Sequence, residues 1–356
     1  MNSVGSAKDG GKDKGGAVEN GLLGQAVYVD LQTQLELGNR LGSKVLVDNH
    51  AHLNFMKNWQ DVLQRFVEFG GVRVVDVACN LHELKISYRI AQAFPAVVRT
   101  SFALHPEFLR PNVHKEMLEE LSPDLLEVVV NLGVEFRKGG RGESPLLYDL
   151  LNIWRVVLEQ AVSTHLSAPP QSSPTVSIHS IGETGLDIYG LQDRSTINAV
   201  LHAQARLLEL HLEFAQKHQL PVVLHVRGAT NSDTSIYLEA HNIVKQFTNL
   251  PLVYYHSFVG DIKTAKTIAQ HYESRQTRLV FGFNGIATYS SAKHLQEVIK
   301  WLPLNKILIE TDSPFLIPKG FNRKRLLSNQ QNEPITVSAI KDFVVRLKGA
   351  CRRRAA

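Results

Sequence analysis

The chain has 2 Cys in 356 residues. That is too few for a disulfide framework and points to a reducing compartment, the cytoplasm or alternatively the nucleus. No apolar run reaches the ~18–20 residues that span a bilayer, so no membrane role is expected. The first residues (MNSVGSAKDGGKDKGG) hold no hydrophobic core and do not read as a secretory signal. No phosphate-binding Gly-rich loop opens a helix, and no Ser-His-Asp order with a nucleophile elbow occurs. Charge of one sign is also scarce, with a formal net charge of +5.

What is present is an apolar fraction of 44% with 21% charged residues, which is globular and excludes whole-chain disorder. Residues 1–42 start with Gly, Lys, Asp and Ser, so we expect a largely disordered N-terminal extension, its first 20 or so residues disordered and the rest a loosely packed lead-in. Then short β-branched runs alternate with stretches of helical spacing. The runs fall at 44–48, 72–77, 97–104, 176–181, 221–224, 252–255, 278–281 and 306–310. Near-continuous apolar strands alternating with helices indicate a parallel sheet buried on both faces. Eight such units make a (β/α)8 TIM barrel over 43–348, ahead of a doubly wound open sheet. Residues 137–175 interrupt the third crossover as an insertion with Gly- and Pro-rich flanks around a helical stretch at 146–166. A basic tail is expected over 349–356.

In a barrel the chemistry sits where strands end at the C-terminal face. Strand one ends in His50-Ala51-His52, whose imidazoles, two residues apart, can reach one metal. Glu183 follows strand four, His225 strand five, His256 strand six and Asp312 strand eight. Each alone is weak, since a lone strand-end His is usually structural. Together, four His and two carboxylates exceed the needs of one tetrahedral zinc and suit two divalent ions about 3.5–4 Å apart. Neutral imidazoles with two carboxylates total about −2, so two such ions would leave a site that attracts a phosphodiester.

At these residues the sequence resembles the TatD family of metal-dependent deoxyribonucleases, in the amidohydrolase superfamily. The matching segments are Asp48-Asn49-His50-Ala51-His52-Leu53, Leu104-His105-Pro106, Gly182-Glu183-Thr184-Gly185-Leu186-Asp187, Leu224-His225-Val226-Arg227, His256-Ser257-Phe258, Glu310-Thr311-Asp312-Ser313-Pro314-Phe315-Leu316 and Asn332-Glu333-Pro334. The resemblance implies a 3′ to 5′ exonuclease acting on DNA, with RNA as a second candidate, through water activated by two divalent ions. It implies that His50 and His52 bind one ion with Asp312, that Glu183 bridges both, that His225 and His256 hold the second, and that Asp312 is the general base. Mg2+ is usual in the family, whereas this His-rich shell also suits Zn2+ or Mn2+. An amidohydrolase of small amides, esters or lactones is the competing enzyme class, although many of those bridge their metals with a carboxylated Lys where Glu183 stands. An inactive nucleic-acid-binding relative is the non-enzyme reading. No obligate protein partner is readable.

Three departures from the family pattern stand out: Asn54 and Gly228 each replace a usual Asp, and the 137–175 insertion is not a family feature. The first two would loosen the support of the ligand imidazoles. Arg227 either clamps a substrate phosphate or pairs with the site carboxylates. His105 either touches substrate or supports a ligand. Asp187 is expected to order its loop, Glu310 to support a polar neighbour, and Cys79 to be a buried structural thiol.

The charge is uneven. Residues 321–356 hold nine Lys or Arg against two acids, a net of +7, so the rest of the chain carries −2. A DNA groove spread over the barrel is not expected, and the metals with a few groups such as Arg227 must supply most of the attraction. Arg323-Lys324-Arg325 could add phosphate contacts.

Overall fold

The computed structural model describes residues 23, 26–111, 121, 123–137, 144–166, 177–230, 233–328 and 330–352. Eight parallel strands pair in sequence order, β1 Leu46–Ala51, β2 Gly71–Ala78, β3 Val98–Phe102, β4 Ile178–Asp187, β5 Val222–Arg227, β6 Leu252–Tyr255, β7 Arg278–Phe283 and β8 Ile307–Ile309. A bridge from Ala51 to Ser313 brings the first strand back to the chain beyond the last. The result is a nearly closed (β/α)8 barrel, as the strand–helix alternation predicts. The strands are buried almost end to end because helices cover their outer faces.

The main helices are α1 Leu31–Leu41, α2 Trp59–Glu68, α3 Leu81–Ala93, α4 Pro123–Arg137, α5 Pro145–Leu166, α6 Arg194–His218, α7 Ile236–Val244, α8 Ile262–His271, α9 Lys293–Trp301 and α10 Val337–Arg352. Their starts follow side-chain chemistry. Asp30, Asn80, Asp193 and Asp261 each accept a backbone N–H three residues on, at 2.7–3.0 Å, which satisfies donors that a helix N-terminus leaves free. At α3, Glu83 reaches back to the Cys79 amide at 2.6 Å, tying the helix start to the end of β2.

One expectation is corrected at the N-terminus. Residues 26–42 are not a loose lead-in; expected disorder over residues 1–20 lies outside the described residues. Leu31, Gln34 and Leu37 of α1 are buried. The Tyr28 hydroxyl reaches Ser180 at 2.8 Å, and its ring meets Tyr254 edge-on. Val29 and Asn49 exchange two hydrogen bonds of 2.9 and 3.1 Å. The segment therefore packs across the N-terminal end of the barrel, where few apolar residues spaced by polar ones suffice. At the other end, α10 continues to Arg352, so the expected tail from 349 is helical in its first residues; 353–356 lie outside the described residues.

Within the 137–175 insertion, α5 occupies the middle, while residues 138–143 and 167–176 are not among those described. Trp154 of α5 is fully buried against Phe102 of β3 and donates its indole N–H to His211 Nε2 at 2.6 Å. Trp is a donor only, so His211 must carry its proton on Nδ1, which faces Thr184 Oγ1 at 2.7 Å. The inserted helix is thus connected, through α6, to the strand residue beside Glu183.

Candidate metal centre

Four strands and the β8 loop bring the six sequence-predicted residues to one point at the C-terminal end of the barrel. Glu183 is its hub. Its Oε2 lies 2.6 Å from His256 Nε2, 3.1 Å from His225 Nδ1 and 3.8 Å from His50 Nε2, and its Oε1 lies 3.4 Å from His52 Nε2. Asp312 Oδ1 faces His50 and His52 Nε2 at 3.7 and 3.5 Å. Asp312 reaches this position from a left-handed backbone (φ 55°), its amide held by the His50 carbonyl at 2.9 Å. Such a conformation is uncommon outside glycine and is tolerated by Asp.

The imidazoles are oriented by what stands behind them. His52 Nδ1 is 3.1 Å from the Val77 carbonyl; a carbonyl only accepts, so Nδ1 carries a proton and Nε2 is the nitrogen turned to the cluster. Asn54 donates to the same carbonyl at 2.7 Å, to Asp76 at 3.2 Å and to Ser87 at 3.1 Å. The amide at position 54 therefore holds the Val77–His52 contact in place; its departure from the family Asp does not leave the imidazole unsupported. Gly228 has a different cause: a Cβ there would lie 2.3 Å from the Asp233 carbonyl. His50 stacks on His256, with centroids 4.0 Å apart and 9° between planes. Their Nδ1 atoms are buried without a protein partner among the described residues.

The largest difference from the sequence-based expectation concerns β4. It runs through Asp187 rather than stopping at 181, so Glu183 and Asp187 share a face by the period of two. Asp187 Oδ2 lies 3.0 Å from His225 Nε2. It does order its loop, accepting from the Tyr189 amide at 2.9 Å, but it also fixes the ring that faces Glu183. The glycines at 182 and 185 are the missed signal. A Cβ on Gly185 would lie 2.0 Å from the His225 carbonyl, so these glycines mark close approach of β4 to β5, not a turn.

Protonation follows from the same geometry. Burial opposes charge on His52 and His225, but the Asp312 contact raises His52 to about 9, and Asp187 with Glu183 raises His225 to about 10. His256 is raised too, by Glu183 against its burial. His50 is held well below its ordinary value by burial and by His256. Glu183, though buried, is kept ionised well below the carboxylate range by His256 and by the hydrogen bonds of His225 and His256. Facing nitrogens stand 3.4 Å apart in His50/His52 and 3.1 Å in His225/His256. Two lone pairs at such distances must share either a proton or a cation, and the donors are those that hold divalent transition ions. Three-ligand groups whose atoms lie within 4.8 Å of one another include His50–His52–Asp312, His50–Glu183–His256 and His105–Glu183–His225.

Of the remaining residues, His105 is buried with Nε2 3.7 Å from Glu183 Oε1, its ring edge-on to His225 at 4.3 Å. Burial and His225 push it down to about 3, so it stands neutral beside the ligands. Arg227 is exposed and lies over the Tyr189 ring at 3.7 Å; among the described residues it makes no ion pair with Glu183 or Asp312. Cys79 is buried, and its thiol donates to Glu183 at 3.7 Å. Glu310 points away from the cluster, accepts from the Tyr254 hydroxyl and holds the Ser257 amide at 2.6 Å.

The family described as TatD related DNase matches residues 47–139 and 157–354. The chain belongs to that family. The match leaves out 140–156, within the insertion and including Trp154. A relative from Buchnera aphidicola subsp. Acyrthosiphon pisum, named as an uncharacterized metal-dependent hydrolase, is 33% identical over 172 residues, 47% of this chain. The chain spans about half the length of that relative, 54%. A relative from Enterocytozoon bieneusi is 30% identical over 207 residues, 57% of this chain and 65% of its own, and bears the provisional name of a TATDN1 deoxyribonuclease homologue. The structure of YJJV, a TatD homologue from Escherichia coli K12, agrees in fold with a TM-score of 0.58 at 20% identity, covering 86% of this chain and 95% of that one. No helix among the described residues of this TatD chain is long and apolar enough to cross a membrane. Its Asn332-Glu333-Pro334 segment braces the site from outside. Asn332 donates to the Thr311 carbonyl at 3.1 Å and accepts from Thr336 at 2.7 Å, joining the start of α10 to the Asp312 loop.

Proposed function

We propose that the chain hydrolyses DNA phosphodiester bonds, acting from strand ends as a 3′ to 5′ exonuclease in the cytoplasm or nucleus. The observation that carries this reading is the placement of Glu183 between two sets of donors, His50–His52–Asp312 on one side and His225–His256 on the other. His50, His52 and Asp312 would hold one divalent ion, His225 and His256 a second, and Glu183 both. Mg2+, Zn2+ and Mn2+ are the candidate ions. When bound, such ions acidify water and neutralise charge growing on a phosphate.

The chain's own groups supply the rest. Asp312 takes the proton of the attacking water, its carboxylate already aimed into the cluster. His105, neutral and edge-on to His225, packs beside the ring that faces Glu183. Arg227 extends past the strand end, flat on Tyr189, where its guanidinium can bind a phosphate oxygen. Asp187 keeps the His225 ring from turning. The experiment is metal analysis of the purified protein with digestion of end-labelled single- and double-stranded DNA and RNA. The reading expects about two ions per chain and stepwise shortening from the 3′ end that stops with chelator. Two bound ions with no cleavage of any nucleic acid would overturn it in favour of a small amide, ester or lactone substrate.

A further inference from the structure

The mouth of the metal centre carries two exposed aromatic side chains in contact. Phe55 is 40% and Phe315 50% exposed, and their rings meet edge to face, 6.2 Å apart at 74°. Both touch the same ligand. Phe55 lies nearly parallel to His52 (5.3 Å, 14°), and Phe315 stands on edge against it (6.1 Å, 67°).

Neither ring is exposed because its backbone is loose. Phe55 closes the 3-10 turn Leu53–Phe55 immediately after His52, with Met56 N–H bonded to the Leu53 carbonyl at 2.9 Å. Phe315 N–H is bonded to the Asp312 carbonyl at 2.9 Å, and the carbonyl before it accepts from Asn332 N–H at 2.8 Å. Single exposed aromatics are ordinary on a protein surface. A fixed, touching pair that flanks a cluster of imidazoles and carboxylates is a shaped apolar surface beside a charged one. The ligand it fits is flat and aromatic at one end and anionic at the other, with the two ends close together. A nucleotide has that form.

We propose that Phe55 and Phe315 are a stacking platform for the nucleobase adjoining the phosphate at the metal centre, an inference that rests on the nuclease reading above. Stacking uses the π-face that every base has, so the platform takes any base and reads none. A base can lie on it only when removed from its own stack, so the nucleotide bound there is unpaired.

The test compares two oligonucleotides that differ only in whether the terminal nucleotide carries its base or is abasic. Both are digested by wild type, by Phe55→Ala/Phe315→Ala and by Phe55→Leu/Phe315→Leu, which keeps apolar bulk without a flat face. Base stacking on aromatic residues predicts a loss of about 5- to 150-fold in kcat/KM for the abasic substrate with wild type. Both variants should lose a similar factor on the normal substrate and discriminate little between the two, while binding the same amount of metal as wild type. An abasic penalty of equal size in wild type and variants would overturn the platform while leaving the nuclease reading standing. Absence of cleavage by wild type on either substrate would instead remove the nuclease reading, and the platform with it.

Discussion

His225 stands between two carboxylates, Nδ1 3.1 Å from Glu183 Oε2 and Nε2 3.0 Å from Asp187 Oδ2. One nitrogen faces the centre and the other is held from behind, the arrangement that fixes a ligand imidazole and raises its basicity. Asp187→Ala removes the rear contact and leaves every proposed ligand in place. Affinity for Zn2+ should fall about 10–100-fold, read by competition with a chromophoric chelator. Unchanged affinity would mean that Asp187 serves its loop alone.

Proton release provides a second test. With His52 raised to about 9 and His225 to about 10, both hold protons at neutral pH in the metal-free protein. A divalent ion needs their lone pairs, so binding expels protons and tightens as pH rises. Calorimetry in buffers of different ionisation enthalpy at pH 7 should register that release. Without metal, the sign for stability is the opposite. Folded values above the ordinary 6.5 mean that the contribution is full below about 6.5 and lost as pH rises through 9–10. The melting temperature of the chelated protein should therefore decline over that window, with the loss much smaller when Zn2+ is present.

Asn54 tests the support of His52. Burial has already pushed Asp76 up to about 6, and the Asn54 amide donates to it, to Val77 and to Ser87. Asn54→Asp replaces a donor by a second acid beside Asp76. We expect a destabilisation of about 1–3 kcal/mol in chemical denaturation at pH 8, shrinking near pH 5, where the pair shares a proton. A variant as stable as wild type at pH 8 would contradict this.

Trp154 tests the inserted helix. Trp154→Phe keeps a ring in the core but leaves His211 Nε2, fully buried, without its donor. The expected cost is about 1–3 kcal/mol, or roughly 1–2 °C of melting temperature per kcal/mol for a chain of this size.

Much of this was legible in the sequence because barrel strands and their end residues obey simple periods. His50-Ala51-His52 needed only alternation, and His225, His256 and Asp312 each followed an apolar run. Asp187 was obscured because the apolar run stops at Ile181, whereas Gly182 and Gly185 let β4 continue close to β5. The packing of residues 26–42 was equally hidden. Its anchors are Tyr28 to Ser180 and Asp30 to Arg278, contacts 152 and 248 residues apart that no local pattern encodes. Asn54 looked like a loss until Val77, a carbonyl 23 residues away, was seen to need a donor.

We expect one constellation of imidazoles and carboxylates both to hold the ions and to cleave DNA. His50→Ala/Asp312→Asn removes two of its members on one side of Glu183. Metal content by mass spectrometry should fall together with cleavage of end-labelled DNA, the latter to background. Cleavage that survives at the wild-type rate would contradict the account.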